Sequence, residues 1–276
     1  MDYRIVDEII QNSLKEDLPM GDITTDSIID PNDVSLARFI AKADGVIAGL
    51  DVAARVFEIL DSSVKFIVKL PDGTHVKAGD IILEFEGNTR ALLKGERTAL
   101  NLTQRMSGIA TRTNAFCNLI AGEKAKVVDT RKTTPGLRYF DKYSVRIGGA
   151  QNHRYCLSDG VLIKDNHIKA AKGIKNAVER VRKSIPHTIK IEVETENSTM
   201  IQEALDASAD IIMLDNMSIS DMAEAVKIIN KRALVEASGD INEENILDVA
   251  KTGVDIISIG RITHSVTSLD ISMQFI

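Results

Sequence analysis

Short runs of apolar and β-branched residues recur in the second half of the chain at a nearly constant interval. They centre on Ile191, Ile212, Leu234 and Ile256, which are 21 to 22 residues apart. A strand, a helix and two short loops fill such an interval, and strands joined by helices pair in parallel. The interval therefore predicts consecutive βα units.

Six runs of this kind follow residue 122, at 126–128, 161–163, 189–193, 211–214, 233–235 and 255–259. Six strands are too few for a complete eight-stranded barrel. We expect an α/β fold that is either an incomplete, open barrel or a doubly wound sheet. The domain that contains these strands is predicted to span residues 111–265.

Residues 1–110 have a different pattern and predict an α+β unit of helices and short strands. Helical spacing is present at 5–14, 50–60 and 90–117, whereas strand patterns are present at 36–48, 64–70 and 81–87. The segment GDITTDS is polar and predicts a turn. The last residues, 266–276, predict a strand that returns to this first domain.

The composition excludes several classes of function. Of the residues, 44% are hydrophobic and 27% are charged, which is typical of a globular protein, and no apolar run is long enough to span a membrane. The net charge of −6 argues against nucleic acid as a partner. Cys117 and Cys156 are too few for a disulfide framework or a zinc site, so we expect a cytoplasmic protein.

One stretch of the acidic chain is strongly basic. Between Arg131 and Lys175 there are ten Lys and Arg residues against three Asp and Glu residues. The cations are separated by Gly, Pro and Asn, which is unlike an amphipathic surface helix. We interpret the stretch as part of a pocket for a small ligand with several negative charges.

Nearly every predicted strand of the second domain ends on polar residues. In chain order these are Asp129 with Thr130, Arg131 and Lys132; Lys164; Glu194; Asp215; Glu236 with Ser238; and Ser258 with Gly260. In βα folds the ligand lies at the carboxyl ends of the strands, so we expect these groups around one mouth.

Individual residues keep alternative interpretations. Arg131 and Lys132 are candidate anion ligands or ordinary surface charges, and His153 beside Arg154 is a candidate ligand or a structural histidine. Glu194 and Asp215 are suited to pairing with the cations, to binding sugar hydroxyls or to holding a metal-bridged diphosphate.

The last two loops have the small residues that phosphate sites use. Ser238 and Gly239 precede a predicted helix, and Gly260 precedes RITHS. Backbone N–H groups approach a phosphate closely at such positions. The position of His264 favours a structural role.

Several joined motifs closely resemble the quinolinate phosphoribosyltransferase family. They are DTRKTTPGLR, GGAQNHR, LIKDNH, IEVETEN, IMLDN and EASGDINEENI, together with GDITT and ERTALN nearer the start. The resemblance implies an N-terminal α/β sandwich, formed by residues 1–110 with the strand 266–276, and an open α/β barrel at 111–265. It also implies a homodimer, Mg²⁺ as cofactor, and de novo NAD biosynthesis from quinolinate and phosphoribosyl pyrophosphate.

The resemblance implies roles for individual residues. Arg97 reaches the neighbouring subunit's substrate, while Arg131, His153 and Arg154 hold the carboxylates of quinolinate, with Thr130, Lys132 and Lys164 nearby. Glu194 and Asp215 contact the ribose and, through Mg²⁺, the diphosphate. Glu192, on the same strand face, is the alternative to Glu194 in this role. The 5′-phosphate is received by Ser238, Gly239, Ser258 and Gly260, and Asp240 and His264 are included among the substrate-binding candidates.

Two positions depart from the family pattern. Ala150 follows Gly148-Gly149 where a third glycine is usual, and Asp240 adds a carboxylate beside the predicted phosphate loop. The first departure also resembles the related ModD-like molybdenum-transport proteins, which are the second interpretation. A Schiff-base aldolase that uses Lys164 is the third.

Overall fold

The computed structural model describes the whole chain, from Met1 to Ile276. The chain divides into two compact units. The first comprises residues 1–114, 133–149 and 263–276, and the second comprises residues 115–132 and 150–262. None of the helices combines the length and the apolar character that crossing a membrane requires.

The first unit mixes helices with short antiparallel strands. Its helices are α1 (Tyr3–Asp17), α2 (Ile23–Ile28), α3 (Leu50–Leu60), α4 (Thr89–Leu119), whose last residues lie in the second unit, and α5 (Arg138–Ile147). Its strands are β1 (Val34–Ala41), β2 (Gly45–Val46), β3 (Lys65–Lys69), β4 (His75–Val76), β5 (Ile81–Asn88) and, from the chain's end, β12 (Ile271–Phe275).

A four-stranded sheet of order β12-β1-β5-β3 forms one layer of this unit. Strand β12 pairs antiparallel with β1, so the predicted return of the C-terminal strand is confirmed. Phe39, Phe57 and Phe85 are fully buried and pack ring against ring, with Phe57 and Phe85 centroids 4.5 Å apart. Helix α3 covers this cluster, because its buried residues recur at helical spacing on one side.

Two expectations for this unit were wrong. GDITTDS was predicted as a turn but contains the start of α2, because the Asp22 carboxylate accepts a hydrogen bond from Thr25 N–H at 3.0 Å and caps the helix. Strand β3 was predicted as half-buried but is mostly exposed. It lies at the edge of the sheet, and a register shift between Phe66 and Val68 interrupts its alternation.

Residues 133–149 pack within the first unit, whereas the sequence interpretation grouped them with the barrel. Asp141 of α5 is fully buried, and both of its oxygens accept hydrogen bonds from the Arg105 guanidinium at 2.9 Å. Thr134 N–H donates to the same carboxylate at 3.0 Å. The cations of this segment therefore belong to a different unit from the remainder of the basic stretch.

The second unit contains the six predicted parallel strands and the helices between them. The strands are β6 (Lys126–Val128), β7 (Val161–Ile163), β8 (Ile191–Thr195), β9 (Ile211–Asp215), β10 (Leu234–Ser238) and β11 (Ile256–Ser258). The helices are α6 (Asp165–Ala171), α7 (Ile174–Ser184), α8 (Ser198–Asp206), α9 (Ile219–Ile229), α10 (Ile246–Lys251) and α11 (Arg261–His264), which ends in the first unit.

The strand order is β6-β11-β10-β9-β8-β7, and every pairing is parallel. Strands β6 and β7 are the two edges, so the sheet is not closed by hydrogen bonds between them. Glu192 of β8 and Glu236 of β10 are two strands apart, yet both side chains reach His153, as on a concave sheet face. The α/β fold with an incomplete, open barrel is confirmed.

Candidate active site

The strand order brings polar residues from separate βα units to one edge of the sheet. Along this edge, in spatial order, lie Asp129, Ser258 with Gly260, Ser238 with Gly239, Asp215, Glu194 and Lys164. Asp215 is paired in register with Ser238, and Ser258 with Val128. The edge therefore places two small-residue loops next to each other and the acidic residues beside them.

Lys164 and Glu194 form an ion pair at one end of this edge. The Lys164 Nζ atom lies 2.5 Å from Glu194 Oε2, and the glutamate side chain is only 11% exposed. Lys164 N–H donates to His167 Nδ1 at 3.0 Å at the start of α6, which fixes the backbone there. The ion pair engages the Lys164 side chain with a carboxylate, whereas a Schiff base needs a free amine, so this geometry does not favour the aldolase interpretation.

Asp215 and Gly239 lie on neighbouring loops that pack closely. Asn216 Nδ2 donates to Asp215 Oδ2 at 2.8 Å, and Asn216 N–H donates to the carbonyl of Ser238 at 3.0 Å. Gly239 has φ of +90°, and a Cβ atom there would lie 2.7 Å from the backbone nitrogen of Asn216. The loop after β10 therefore requires glycine, which leaves its backbone open to a ligand.

The unusual Asp240 carboxylate does not crowd this loop. Its side chain is 92% exposed, and one oxygen lies 3.9 Å from the Arg261 guanidinium. Ser258, in contrast, is buried, and its hydroxyl lies 3.5 Å from the carbonyl of Ala237. Of the two predicted phosphate-loop serines, Ser238 is the more accessible.

The Asp129 carboxylate, fully buried at the end of β6, holds the segment that carries His153. It accepts hydrogen bonds from Asn152 Nδ2 and from His153 N–H, both at 2.8 Å. In the loop that follows β6, Thr130 Oγ1 accepts a hydrogen bond from Lys132 N–H at 3.0 Å. The backbone on both sides of the basic motif is therefore fixed by side chains of this strand end.

The His153 ring is bound on both sides. Its Nδ1 accepts a hydrogen bond from Arg154 N–H at 2.8 Å, while Nε2 lies 3.2 Å from Glu192 Oε2 and 3.5 Å from Glu236 Oε2. Because Nδ1 accepts, the hydrogen lies on Nε2 and is directed at the two carboxylates. A histidine that binds a metal through Nε2 carries no hydrogen there, so this cluster is a hydrogen-bond network.

Burial and the two neighbouring carboxylates shift the pKa of His153 in opposite directions. Burial lowers the pKa of His153, but the hydrogen bonds to Glu192 and Glu236 outweigh burial and raise that pKa to about 10. The raised pKa favours a ring with hydrogens on both nitrogens near neutral pH, whereas the 2.8 Å contact from Arg154 N–H to Nδ1 requires an unprotonated Nδ1, so the structure shows the neutral form. The pKa of Glu192 is itself raised, chiefly by burial.

Arg154 is held beside a second cation. Its Nη1 donates to the carbonyl of Gly160 at 2.8 Å. Burial lowers the pKa of Arg154, the positive charge of Arg131 lowers it further, and the Glu192 carboxylate partly offsets both effects. Two neighbouring guanidinium groups are chemically suited to binding a multiply charged anion.

Two predicted site residues belong to the first unit. Arg97 is exposed on α4, and His264 is the last residue of α11, with its Nδ1 2.6 Å from Ser265 Oγ. The partnership of His153 with Glu192 and Glu236 was not predicted. Strict alternation along a strand places Glu192 on the same sheet face as Glu194, and Glu236 on the same face as Ser238. The sequence therefore indicated that both glutamates lie on the face of the site.

An open α/β barrel whose strand ends present paired arginines, a lysine–glutamate pair and glycine loops defines an enzyme class that acts on small, multiply charged substrates. Comparison with known proteins gives the family. The model of the quinolinate phosphoribosyl transferase N-terminal domain matches residues 22–107, and the model of the C-terminal domain matches residues 109–274.

Curated relatives and solved structures agree with these matches. The chain is 46% identical over 275 residues to a probable nicotinate-nucleotide pyrophosphorylase [carboxylating] of Synechocystis, covering 99% of this chain and 93% of the relative. A Bacillus subtilis protein of the same description is 42% identical, with 99% and 94% covered. The nicotinate-nucleotide pyrophosphorylase structure from Francisella tularensis matches with a TM-score of 0.95 and 40% identity, covering 100% of this chain and 98% of that one.

The chain belongs to the quinolinate phosphoribosyl transferase family. The ModD-like interpretation is not favoured by these matches, and the family assignment also replaces the aldolase interpretation.

Proposed function

We propose that this protein transfers the phosphoribosyl group of phosphoribosyl pyrophosphate to quinolinate with loss of CO₂, giving nicotinate mononucleotide and pyrophosphate in NAD biosynthesis. It is a pentosyltransferase that acts on small molecules. The observation that carries this proposal is the agreement between the family match, which spans residues 22–107 and 109–274, and a strand-end site with several cations on a chain of net charge −6. Both substrates are strongly anionic.

The chemistry requires few groups that react covalently. The ring nitrogen of quinolinate attacks the anomeric carbon of phosphoribosyl pyrophosphate, and the bond from that carbon to the diphosphate oxygen breaks. Positive charge develops on the sugar while negative charge develops on the leaving group. Preorganised cations and carboxylates stabilise such charge separation, usually the largest contribution to catalysis.

Within this proposal Arg131 and Arg154 hold the quinolinate carboxylates, with Thr130, Lys132 and His153 beside them. Lys164, paired with Glu194, lies between quinolinate and the sugar. Decarboxylation follows once the ring nitrogen is quaternised: the bond from ring C2 to its carboxylate breaks, its electron pair stays on C2, and a proton then replaces CO₂.

The phosphate end is assigned to the loops after β10 and β11. Gly239, Asp240 and Gly260 offer backbone N–H groups to the 5′-phosphate, with Ser238 and Ser258 adjacent. The exposed Asp240 carboxylate near Arg261 is compatible with that role. His264 stays a prediction as a substrate-binding residue.

Glu194 and Asp215 fit Mg²⁺ bound together with the diphosphate, since both present carboxylate oxygens, the ligands that Mg²⁺ prefers, at the same edge. When bound, the ion supplies neutralisation of the leaving group's charge. Independently of the ion, Glu194 fixes the Lys164 ammonium, and Asp215 lies next to Ser238 in register.

We also propose a homodimer in which Arg97 of one subunit completes the site of the other. The support is the exposure of Arg97 on α4 and its position in ERTALN, a motif that resembles the family's and lies within the match to the N-terminal domain. A cytoplasmic location is proposed on the same basis, with both cysteines present as free thiols.

The proposal is tested by incubating the purified protein with quinolinate, phosphoribosyl pyrophosphate and Mg²⁺ and following nicotinate mononucleotide by chromatography. Nicotinate, which lacks the second carboxylate, serves as the control substrate. We expect turnover with quinolinate and little with nicotinate. Absence of product from quinolinate by a folded protein contradicts the proposal.

A further inference from the structure

Two buried carboxylates lie one layer beneath the strand-end site and have no role in the reaction described above. Glu192 is two residues before Glu194 on β8, and Glu236 is two residues before Ser238 on β10, so each points to the same face as the mouth residue that follows it. Their exposures are 3% and 1%. Opposite Glu236, in the register of β10 with β9, lies the buried apolar residue Met213.

These carboxylates are poorly satisfied for groups that are so deeply buried. One oxygen of each faces His153 Nε2, while Glu192 Oε1 and Glu236 Oε1 are buried with no hydrogen-bond partner. Burying two carboxylates in this way is unfavourable, and a buried ionic cluster is weak evidence of stabilisation. Their presence therefore points to a function that apolar residues of similar size do not provide.

The contacts indicate that this function acts through His153. The ring receives Arg154 N–H at Nδ1 on one side and is held by Glu192 and Glu236 at Nε2 on the other. A cavity of about 460 Å³ borders His153, Arg154 and both glutamates and extends to Lys126 and Lys190 near the amino ends of the strands. Because His153 lines this cavity, packing alone does not fix the ring, and the hydrogen bonds do.

Charge gives a second reason for a carboxylate at the position of Glu192. Arg154 and Arg131 repel one another before an anionic substrate arrives, and Glu192 offsets part of that repulsion. Glu192 thus offsets the repulsion between the paired guanidinium groups in the free enzyme, while Glu236 contributes through its contact with His153.

We propose that Glu192 and Glu236 are positioning residues for recognition of the quinolinate carboxylates, acting through His153 on Arg154. The inference rests on the proposed function. It assigns the two acids to the dicarboxylate end of the site, and it predicts that the phosphoribosyl pyrophosphate end works without them.

The test uses the full-length enzyme with Glu192→Gln and Glu236→Gln, which keep side-chain volume and remove charge. Glu203→Gln, on the exposed face of α8, is the matched control. We expect KM for quinolinate to rise about tenfold in each site variant, the size of losing a charged hydrogen bond. KM for phosphoribosyl pyrophosphate and the melting temperature should stay near those of the control.

A double-mutant cycle shows whether the acids act through His153. If they do, Glu236→Gln added to His153→Asn raises KM for quinolinate no further than His153→Asn alone. If the double variant instead raises KM for quinolinate by the product of the two separate effects, the acids do not act through His153 and the proposed route is overturned. Unchanged quinolinate KM in both glutamine variants would overturn the inference, as would failure of both to fold, which would assign the acids to the core. Inactivity of the wild-type enzyme instead contradicts the proposed function.

Discussion

At the residue scale, the proposed function assigns the groups of the site to different parts of the two substrates. Arg131 and Arg154 are neighbouring cations whose charges affect one another, while Asp215 lies beside the glycine loop of β10. Lys164 is between these groups in the sequence and is anchored by Glu194. Substitutions should therefore have effects that depend on the substrate whose concentration is varied.

Arg131→Ala or Arg154→Ala should raise KM for quinolinate at least about tenfold, because a charge-assisted pair with a carboxylate is lost. Asp215→Ala should instead impair the use of phosphoribosyl pyrophosphate, and Lys164→Ala should impair both. Steady-state kinetics with each substrate varied in turn measure this separation. Equal effects of all four substitutions on both substrates would show that the residues are wrongly assigned.

Gly239→Ala tests the loop after β10. A Cβ atom there meets the backbone nitrogen of Asn216 at 2.7 Å, and φ of +90° is strained for alanine. We expect a loss of roughly 1–3 kcal/mol in the free energy of unfolding and a higher KM for phosphoribosyl pyrophosphate. Gly122→Ala is the control, since its φ is +94° but its Cβ meets nothing within 4 Å. If both variants behave alike, the close approach to Asn216 has no consequence.

At the element scale, much of the fold follows from local pattern. The spacing of Leu50, Ala53, Ala54, Phe57 and Leu60 predicts α3 with its observed bounds, and the 21-to-22-residue interval predicts the parallel strands. The misses have local causes: Asp22 caps a helix in a segment that reads as a turn, and β3 is an edge strand with a shifted register.

The grouping of the polar strand-end residues at one edge of the sheet was predictable from the sequence, because parallel strands bring their carboxyl ends together. What the sequence does not contain is the distance between side chains on different strands. His153 and its partners Glu192 and Glu236 are far apart in the chain and meet only because the sheet curves. Residue alternation identifies the face on which such groups lie, but pairing across a curved sheet depends on the three-dimensional fold.

Helices α1 and α3 are joined by an ion pair that gives stability a specific pH dependence. Arg55 Nε and Nη2 each donate to a different oxygen of Asp7 at 2.8 Å, and this lowers the pKa of Asp7 below its ordinary value of 3.8. The folded state thus favours the ionised carboxylate. Its contribution is complete above the unfolded pKa and is lost as pH falls through the lower, folded pKa.

Asp7→Asn should therefore reduce the free energy of unfolding by about 1 kcal/mol near pH 7, in line with a partly exposed pair. Urea denaturation at pH 7 and at pH 3 measures the difference between wild type and variant, which should shrink at the lower pH. A difference that is independent of pH would mean that the carboxylate charge contributes nothing.

At the scale of the whole molecule, the proposed assembly makes each site depend on two chains. Arg97 is in the first unit, whereas Arg154 is in the second. If one subunit supplies Arg97 to the other's barrel, the variants Arg97→Ala and Arg154→Ala have defects in different halves of the same site. A hybrid dimer then contains one intact site and one doubly defective site.

At a quinolinate concentration at which each variant alone has little activity, unfolding and refolding the two variants together should restore activity to about a quarter of the wild-type level, since half of the dimers are hybrids and half of their sites are intact. Each variant refolded alone is the control. Recovery of activity supports the shared site, and its absence from dimers shown to contain both chains contradicts it.

The central claim is that one active site joins phosphoribosyl transfer to decarboxylation. The most direct measurement is the ratio of pyrophosphate to CO₂ released from quinolinate labelled at its C2 carboxylate, with phosphoribosyl pyrophosphate and Mg²⁺ present. We expect equal amounts of the two products, and no CO₂ when phosphoribosyl pyrophosphate is omitted. Pyrophosphate without CO₂, or CO₂ without pyrophosphate, would contradict the account.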